Sequence, residues 1–226
     1  MEKKRMKSPM AHARLAAASL LFALCANATA QQMGMNDVFR QMPDSLLPTM
    51  SKNNRLDMVD FIDSGMKATI TDNLDGQCTM DTLTANYAHI SMGGSMTVEL
   101  KLLPSTNELA DSSRQVVCMV KTFGSEAKES TVSFYTEKWT PLPITLSPAE
   151  YAETLCTRPD TMSAERYAGI SPENELVLVA ATLSPNDNTL TLTPQMPLQT
   201  EDEEKDMTAI MRSITMAWTG KLFIKE

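Results

Sequence analysis

Residues 42–66 read MPDSLLPTMSKNNRLDMVDFIDSGM, with Asp57, Asp60 and Asp63 at every third position among apolar neighbours. Carboxylates at regular spacing are raw material for cation binding or for general acid–base hydrolysis. The same spacing also describes the wet edge of an amphipathic helix. On a helix of about 100° per residue, Met58, Val59, Phe61, Ile62 and Met66 gather on one arc of roughly 160°. Asp57 and Asp60 fall opposite that arc, and Asp63 lies at its margin beside Leu56. No histidine is near in sequence to complete a site. The row therefore reads as a solvated edge, with the apolar arc packed on a sheet and Asp57 close to the positive end of the helix.

Other candidates for chemistry are few. His12 lies in the N-terminal segment treated below, so a Ser-His-Asp or Cys-His enzyme would have to use His89. His89 sits in NYAHISM, a strand pattern that puts it on the face opposite Ile90. Ser91 and Ser95 are its neighbours in sequence, outside any nucleophile-elbow pattern. His89 thus reads as a sheet-face side chain, and the few glycines form no phosphate loop or dinucleotide fingerprint. Asn73-Leu74-Asp75-Gly76 resembles the start of a calcium loop, but the later ligands are missing and the residues are ordinary turn chemistry. A glycosidase needs only two acids at a set separation, so a hydrolase acting through paired carboxylates stays open as an alternative. Aromatic platforms for a sugar are limited to Trp139, Trp218, Tyr87, Tyr135, Tyr151 and Tyr167. A third reading is copper handling, because thioethers bind copper(I). Met33-Gly34-Met35 and Met92-Gly93-Gly94-Ser95-Met96 are the tightest methionine groups, although methionine more commonly fills irregular core gaps.

The first 30 residues read as a secretory signal. Lys3, Lys4, Arg5, Lys7 and Arg14 form a basic front, LAAASLLFAL follows at 15–24, and Ala28-Thr29-Ala30 supplies a small-x-small cleavage site. An apolar run of that length is too short to span a bilayer, which takes about 20 residues. Cleavage after Ala30 is expected, with a new N-terminus at Gln31. Lipid anchoring at Cys25 is the lesser alternative, since Leu24 before it is not small. No later run is long enough to cross a membrane. Removing residues 1–30 takes away five of 20 basic and one of 28 acidic residues, leaving 15 against 27 and a formal charge of −12. That balance argues against a nucleic-acid partner, which needs basic surface to neutralise phosphates. Cys78, Cys118 and Cys156 remain, an odd number that permits one disulfide at most. Cys118, inside VVCMV, is expected to be a buried thiol.

The elements that must position these residues run helices then strands, twice. Asn36 is placed to cap NDVFRQM, which Pro43 ends. A second helix starts near Asn54, with Asp57 as its N3 acceptor, and stops near Gly65. KATIT, CTMDTLTANYAHISM, SMTVELKLL, RQVVCMVKTF and STVSFYTEKW then predict a meander of about five antiparallel strands. SMTVELKLL alternates like a half-buried strand, and Gly93-Gly94 makes it half of a hairpin. Ser147, Pro148 and Glu150 mark another helix start, and MSAERYAGI a further short helix. ELVLVAATL and NTLTLTP predict a second hairpin. Thr200 and Glu203 form a capping box for EDEEKDMTAIMRS, and ITMAWTGKLFIKE is the last strand. Segregated helices and antiparallel strands make the class α+β. The expected mature domain is 31–226, with 31–146 and 147–226 as two similar helix-then-sheet modules.

This order of elements resembles the helix-pair-plus-sheet modules of beta-lactamase-inhibitor-like and PepSY-like envelope proteins. MPDSLLPTMSKNNRLDMVDF at 42–61 and SFYTEKWTPLP at 133–143, behind an export signal, resemble an uncharacterised secreted family of Gram-negative gut bacteria, a domain of unknown function. The resemblance covers 31–226 and implies a periplasmic or envelope location and a shared fold. It brings no catalytic, cofactor-binding or metal-binding residue. The sequence thus points to a non-catalytic binding or interaction module whose partner is an envelope protein or a small ligand.

Overall fold

The computed structural model describes residues 32–107, 113–171, 176–197 and 201–226. The expected export signal and the Thr200–Glu203 capping box lie outside the described residues. The chain opens with α1 (Met35–Arg40), a 3-10 turn (Asp44–Leu46) and α2 (Lys52–Asp63). Six strands follow: β1 (Ala68–Thr71), β2 (Gln77–Leu83), β3 (Tyr87–Met92), β4 (Met96–Pro104), β5 (Gln115–Phe123) and β6 (Glu129–Thr136). After a 3-10 turn (Pro148–Tyr151) come α3 (Ala152–Leu155), α4 (Ala164–Ile170), β7 (Leu178–Leu183), β8 (Thr189–Gln195), α5 (Glu201–Ile210), β9 (Ile214–Trp218) and β10 (Phe223–Lys225). The large sheet is a meander in the order β1-β2-β3-β4-β5-β6, and the small one runs β10-β9-β8-β7, every pair antiparallel. The class is α+β.

Several local expectations shift. Gly34, not Asn36, occupies the N-cap of α1. Helix α2 starts earlier than Asn54: Ser51 caps it and forms a reciprocal box with Asn54. Asp57 therefore sits in mid-helix, away from the positive terminus. Ser147 makes no capping hydrogen bond, and the turn it precedes is 3-10. CTMDTLTANYAHISM is a hairpin, β2 and β3, broken by a bulge at Asp81, so the sheet has six strands where about five were expected. The final segment is likewise a hairpin, folded at Gly220 with φ of 93°.

The large sheet is buried on both faces over its centre. One face carries Ala88, Ile90, Val98, Leu100, Val117 and Met119, packed under Val38, Phe39, Met58 and Val59 of the helices. Arg55, 1 % exposed, ties the intervening loop to α2 by donating to Met50 O (2.8 Å), Met42 O (2.6 Å) and Asp44 Oδ1 (2.6 Å). The other face carries Leu103, Val116, Cys118, Val120 and Phe134, packed against Val179, Leu183, Leu190, Leu192 and Met216 of the small sheet. Residues from both 31–146 and 147–226 therefore build one apolar layer. Strand β4 was expected to show water one face; instead Val98 to Leu103 are all buried. A third, smaller cluster lies beneath α4 and α5. No helix among the described residues is long and apolar enough to cross a membrane.

Candidate functional site

Asp57, Asp60 and Asp63 are all exposed. Asp60 and Asp63 share Arg40 of α1, at 2.7 and 3.4 Å, so the row is a surface edge laced to the neighbouring helix. Met66, placed on the apolar arc by the helical wheel, is 54 % exposed because the helix has already ended. Asp72 accepts from Leu74 N (2.9 Å) and Gly76 N (2.8 Å), which closes the Asn73–Gly76 stretch as a side-chain-to-backbone turn. Those two amide donors hold the Asp72 carboxyl below its usual range.

Among the described residues Cys78, Cys118 and Cys156 are free and buried. Burial pushes the Cys118 thiol far up, and pushes Cys78, beside the Asp72 carboxylate, up to about 11. The two methionine groups singled out in sequence are core. Met35 and Met92 pack among the helix-side residues, and Met33 and Met96 lie against them. Their thioethers fill the layer between helices and sheet.

His89 projects from β3 on the face away from Ile90, and its Nδ1 lies 2.8 Å from Asp81 Oδ2. Among the described residues no hydroxyl or thiol is hydrogen-bonded to its ring. Next to it is a buried polar group that sequence reading missed. Glu99 pairs across the ladder with His89, and Lys101 with Tyr87. Glu99 is 5 % exposed, accepts from Tyr87 Oη at 2.7 Å and from Leu183 N at 3.4 Å, and is held above its usual carboxylate range by burial. Lys101 donates to Pro185 O at 3.0 Å and stands 5.8 Å from the Tyr87 ring centre. One signal could have exposed this. Cys118 and Val120, the β5 partners of Lys101 and Glu99, are apolar, so the face that carries the two charges is a covered one.

The small sheet's apolar contacts fall on β4–β6 and Tyr87. The β1–β3 side of that face is left polar and partly open. A single register row of hydroxyls crosses the six strands: Thr69, Thr79, Ser91, Thr97, Thr122 and Ser130, spaced by about 4.8 Å per strand. At one end Thr69 and Thr79 bond to each other at 3.0 Å. At the other, Thr122 and Ser130 bond at 2.7 Å, and Ser130 Oγ accepts from Ala181 N at 2.8 Å. Between them the row opens into a groove of about 170 Å³ lined by Ser91, Ser95, Thr97, Thr122, Ser125 and Lys128.

Gly94 and Gly124 shape its mouth. Gly124 N donates to Ser95 O at 2.9 Å with φ of 111°, and a Cβ there would lie 2.1 Å from Ala127 O. The hydroxyls of Ser91, Ser95, Thr97 and Ser125 and the Lys128 ammonium make no protein hydrogen bond or ion pair among the described residues. Unspent donors of this kind, with one cation in an acidic protein, can hold an oxygen-rich anion.

No curated protein matches the chain. A solved structure, a domain of an uncharacterized protein from Porphyromonas gingivalis W83, superposes with a TM-score of 0.66 at 21 % identity, covering 85 % of this chain and 97 % of that one. At that identity it supports the fold. The family model described as "Protein of unknown function (DUF3256)" matches residues 26–223, and the chain belongs to that family.

Proposed function

We propose that this is an exported envelope protein that binds its ligand without transforming it. The ligand fits the hydroxyl groove: a small, oxygen-rich anion such as an acidic or phosphorylated sugar. The observation that carries this reading is the set of unpartnered donors, Ser91, Ser95, Thr97, Ser125 and Lys128, lining one groove on an otherwise acidic chain. Glu99, the carboxylate beside His89, is sealed with both oxygens engaged and offers no acid to a ligand. A thermal-shift and calorimetric screen of hexuronic acids and sugar phosphates tests it. Lys128→Ala and Thr97→Val should each weaken the best binder without lowering the melting temperature of the free protein. Binding that survives both substitutions refutes the groove. Location is tested separately by N-terminal sequencing of protein from its host. A chain beginning at Gln31 supports export with cleavage after Ala30; one beginning at a lipidated Cys25, or retaining Met1, refutes it.

A further inference from the structure

Beneath α4 and α5 lies a small core of unusual composition. Cys156, Met162, Met207 and Ile210 are buried there, with Tyr167, Ile170, Val177, Met196, Ala209 and Met211 half-buried against them. Half of these side chains carry sulfur, and three of them reach open space. Met196, leaving β8, and Met207 and Met211, one helical turn apart, line one cavity of about 320 Å³. Met211 N donates to Met207 O at 2.9 Å, which fixes the two on one side of the helix end. Cys156 pairs with Met211 through an isolated antiparallel bridge. Two carboxylates, Glu126 and Glu204, share the cavity wall and make no ion pair among the described residues.

Glu126 and Glu204 are exposed at the rim and set a negative field over the mouth, which an apolar occupant would not use. A hard divalent ion would find too few oxygens, since such ions take six or more. Neutral thioethers with a negative field around them suit a soft monovalent cation. We propose that this cavity binds copper(I), with Met196, Met207 and Met211 as ligands and Glu126 and Glu204 supplying the compensating charge. Cys156 lies in the core behind Met211 and does not line the cavity, so the thioethers carry the binding. The cavity shares no lining residue with the hydroxyl groove, although both touch the loop at 124–128, and its ligands lie elsewhere.

The test is anaerobic titration of the purified protein with copper(I) against a chromogenic copper(I) chelator. One equivalent should be withheld from the chelator. Silver(I), the non-oxidising surrogate, should shift the NMR signals of the Met196, Met207 and Met211 methyl groups. Met207→Leu with Met211→Leu conserves volume, which cores tolerate well, and should leave the melting temperature unchanged. Losing even an outer partner of a ligand lowers metal affinity by about 10–100-fold, so the double variant should fall by at least that factor. Met92→Leu with Met96→Leu should bind like the parent. Failure to withhold any copper(I), undiminished binding by the Met207/Met211 variant, or silver-induced shifts confined to other methionines would each overturn the site.

Discussion

Tyr87, Glu99 and Lys101 are three polar residues between two apolar layers, and burial sets their behaviour. Glu99 holds its proton above the ordinary 4.5 of a glutamate because desolvation outweighs the Tyr87 and Leu183 hydrogen bonds. The sign follows from linkage. A group whose folded pKa is raised stabilises fully below its unfolded pKa, and that contribution is lost as pH rises through the folded pKa. Glu99→Gln cannot titrate, so any cost of its amide beside Leu183 N is a constant offset. Measured by denaturant midpoint, the gap between parent and Glu99→Gln should move in favour of the glutamine as pH rises from about 4 to about 7. A gap independent of pH would show that Glu99 ionises in the fold as freely as outside it. The cysteines give a second residue-level outcome. A thiol reagent acts on the thiolate, so Cys78, Cys118 and Cys156 should all resist labelling at pH 8 in the native protein and react fully once it is unfolded. Rapid labelling of one would show an opening of its layer.

Among the elements, legibility followed how locally each signal is encoded. The acid row on α2 was readable because a helix writes its solvent face into the spacing of its own residues, and Asp57, Asp60 and Asp63 are exposed as that spacing requires. The start of α2 was not, because Ser51 and Asn54 both offer cap chemistry, each with an acceptor three residues on, and local sequence ranks them equally. Strand β4 misled for a different reason: its alternation is real, but whether the polar half meets water depends on a sheet more than 70 residues downstream, which local pattern does not carry. The hydroxyl groove is illegible for a related reason, since Ser91, Thr97 and Thr122 come from β3, β4 and β5 and meet the turn residues Ser95, Ser125 and Lys128 only through strand register. The helix can be weighed directly. Met58 is fully buried beneath α2, so Met58→Ala should cost about 2–5 kcal/mol. Asp57→Asn should stay within about 0.5 kcal/mol, and Asp60→Asn should lose at most about 1 kcal/mol for its exposed pair with Arg40. Chemical denaturation of the three variants decides it; an Asp57 effect rivalling Met58 would mean the acid row is engaged in more than solvation.

For the molecule as a whole, the repeated helix-then-strand order suggested two similar modules. The halves differ in strand number and occupy different places: the large sheet lies in the middle, with helices on one face and the small sheet on the other. Separating them would expose Val116, Val120 and Phe134 on one piece and Val179, Leu190 and Leu192 on the other. Expressed alone, neither 31–146 nor 147–226 should give a cooperative thermal transition, whereas mixing or rejoining them should restore one. A cooperative melt from either fragment would show that the shared layer is dispensable.

The two tryptophans fall on opposite sides of this arrangement. Trp139, at φ of 64°, is buried on the helix side, where its Nε1 donates to Val38 O at 2.9 Å. Trp218 lies on the small-sheet side, its ring 5.9 Å from Phe134 and 5.2 Å from Phe223, with Nε1 donating to Pro104 O at 2.7 Å. Each layer therefore contains one tryptophan, which can be excited selectively. With Trp139→Phe or Trp218→Phe, the remaining indole reports on a single side, and its emission can be followed by stopped flow. Coincident relaxation in the two variants would mean that both sides assemble in one step; a lag between them would reveal which side forms first.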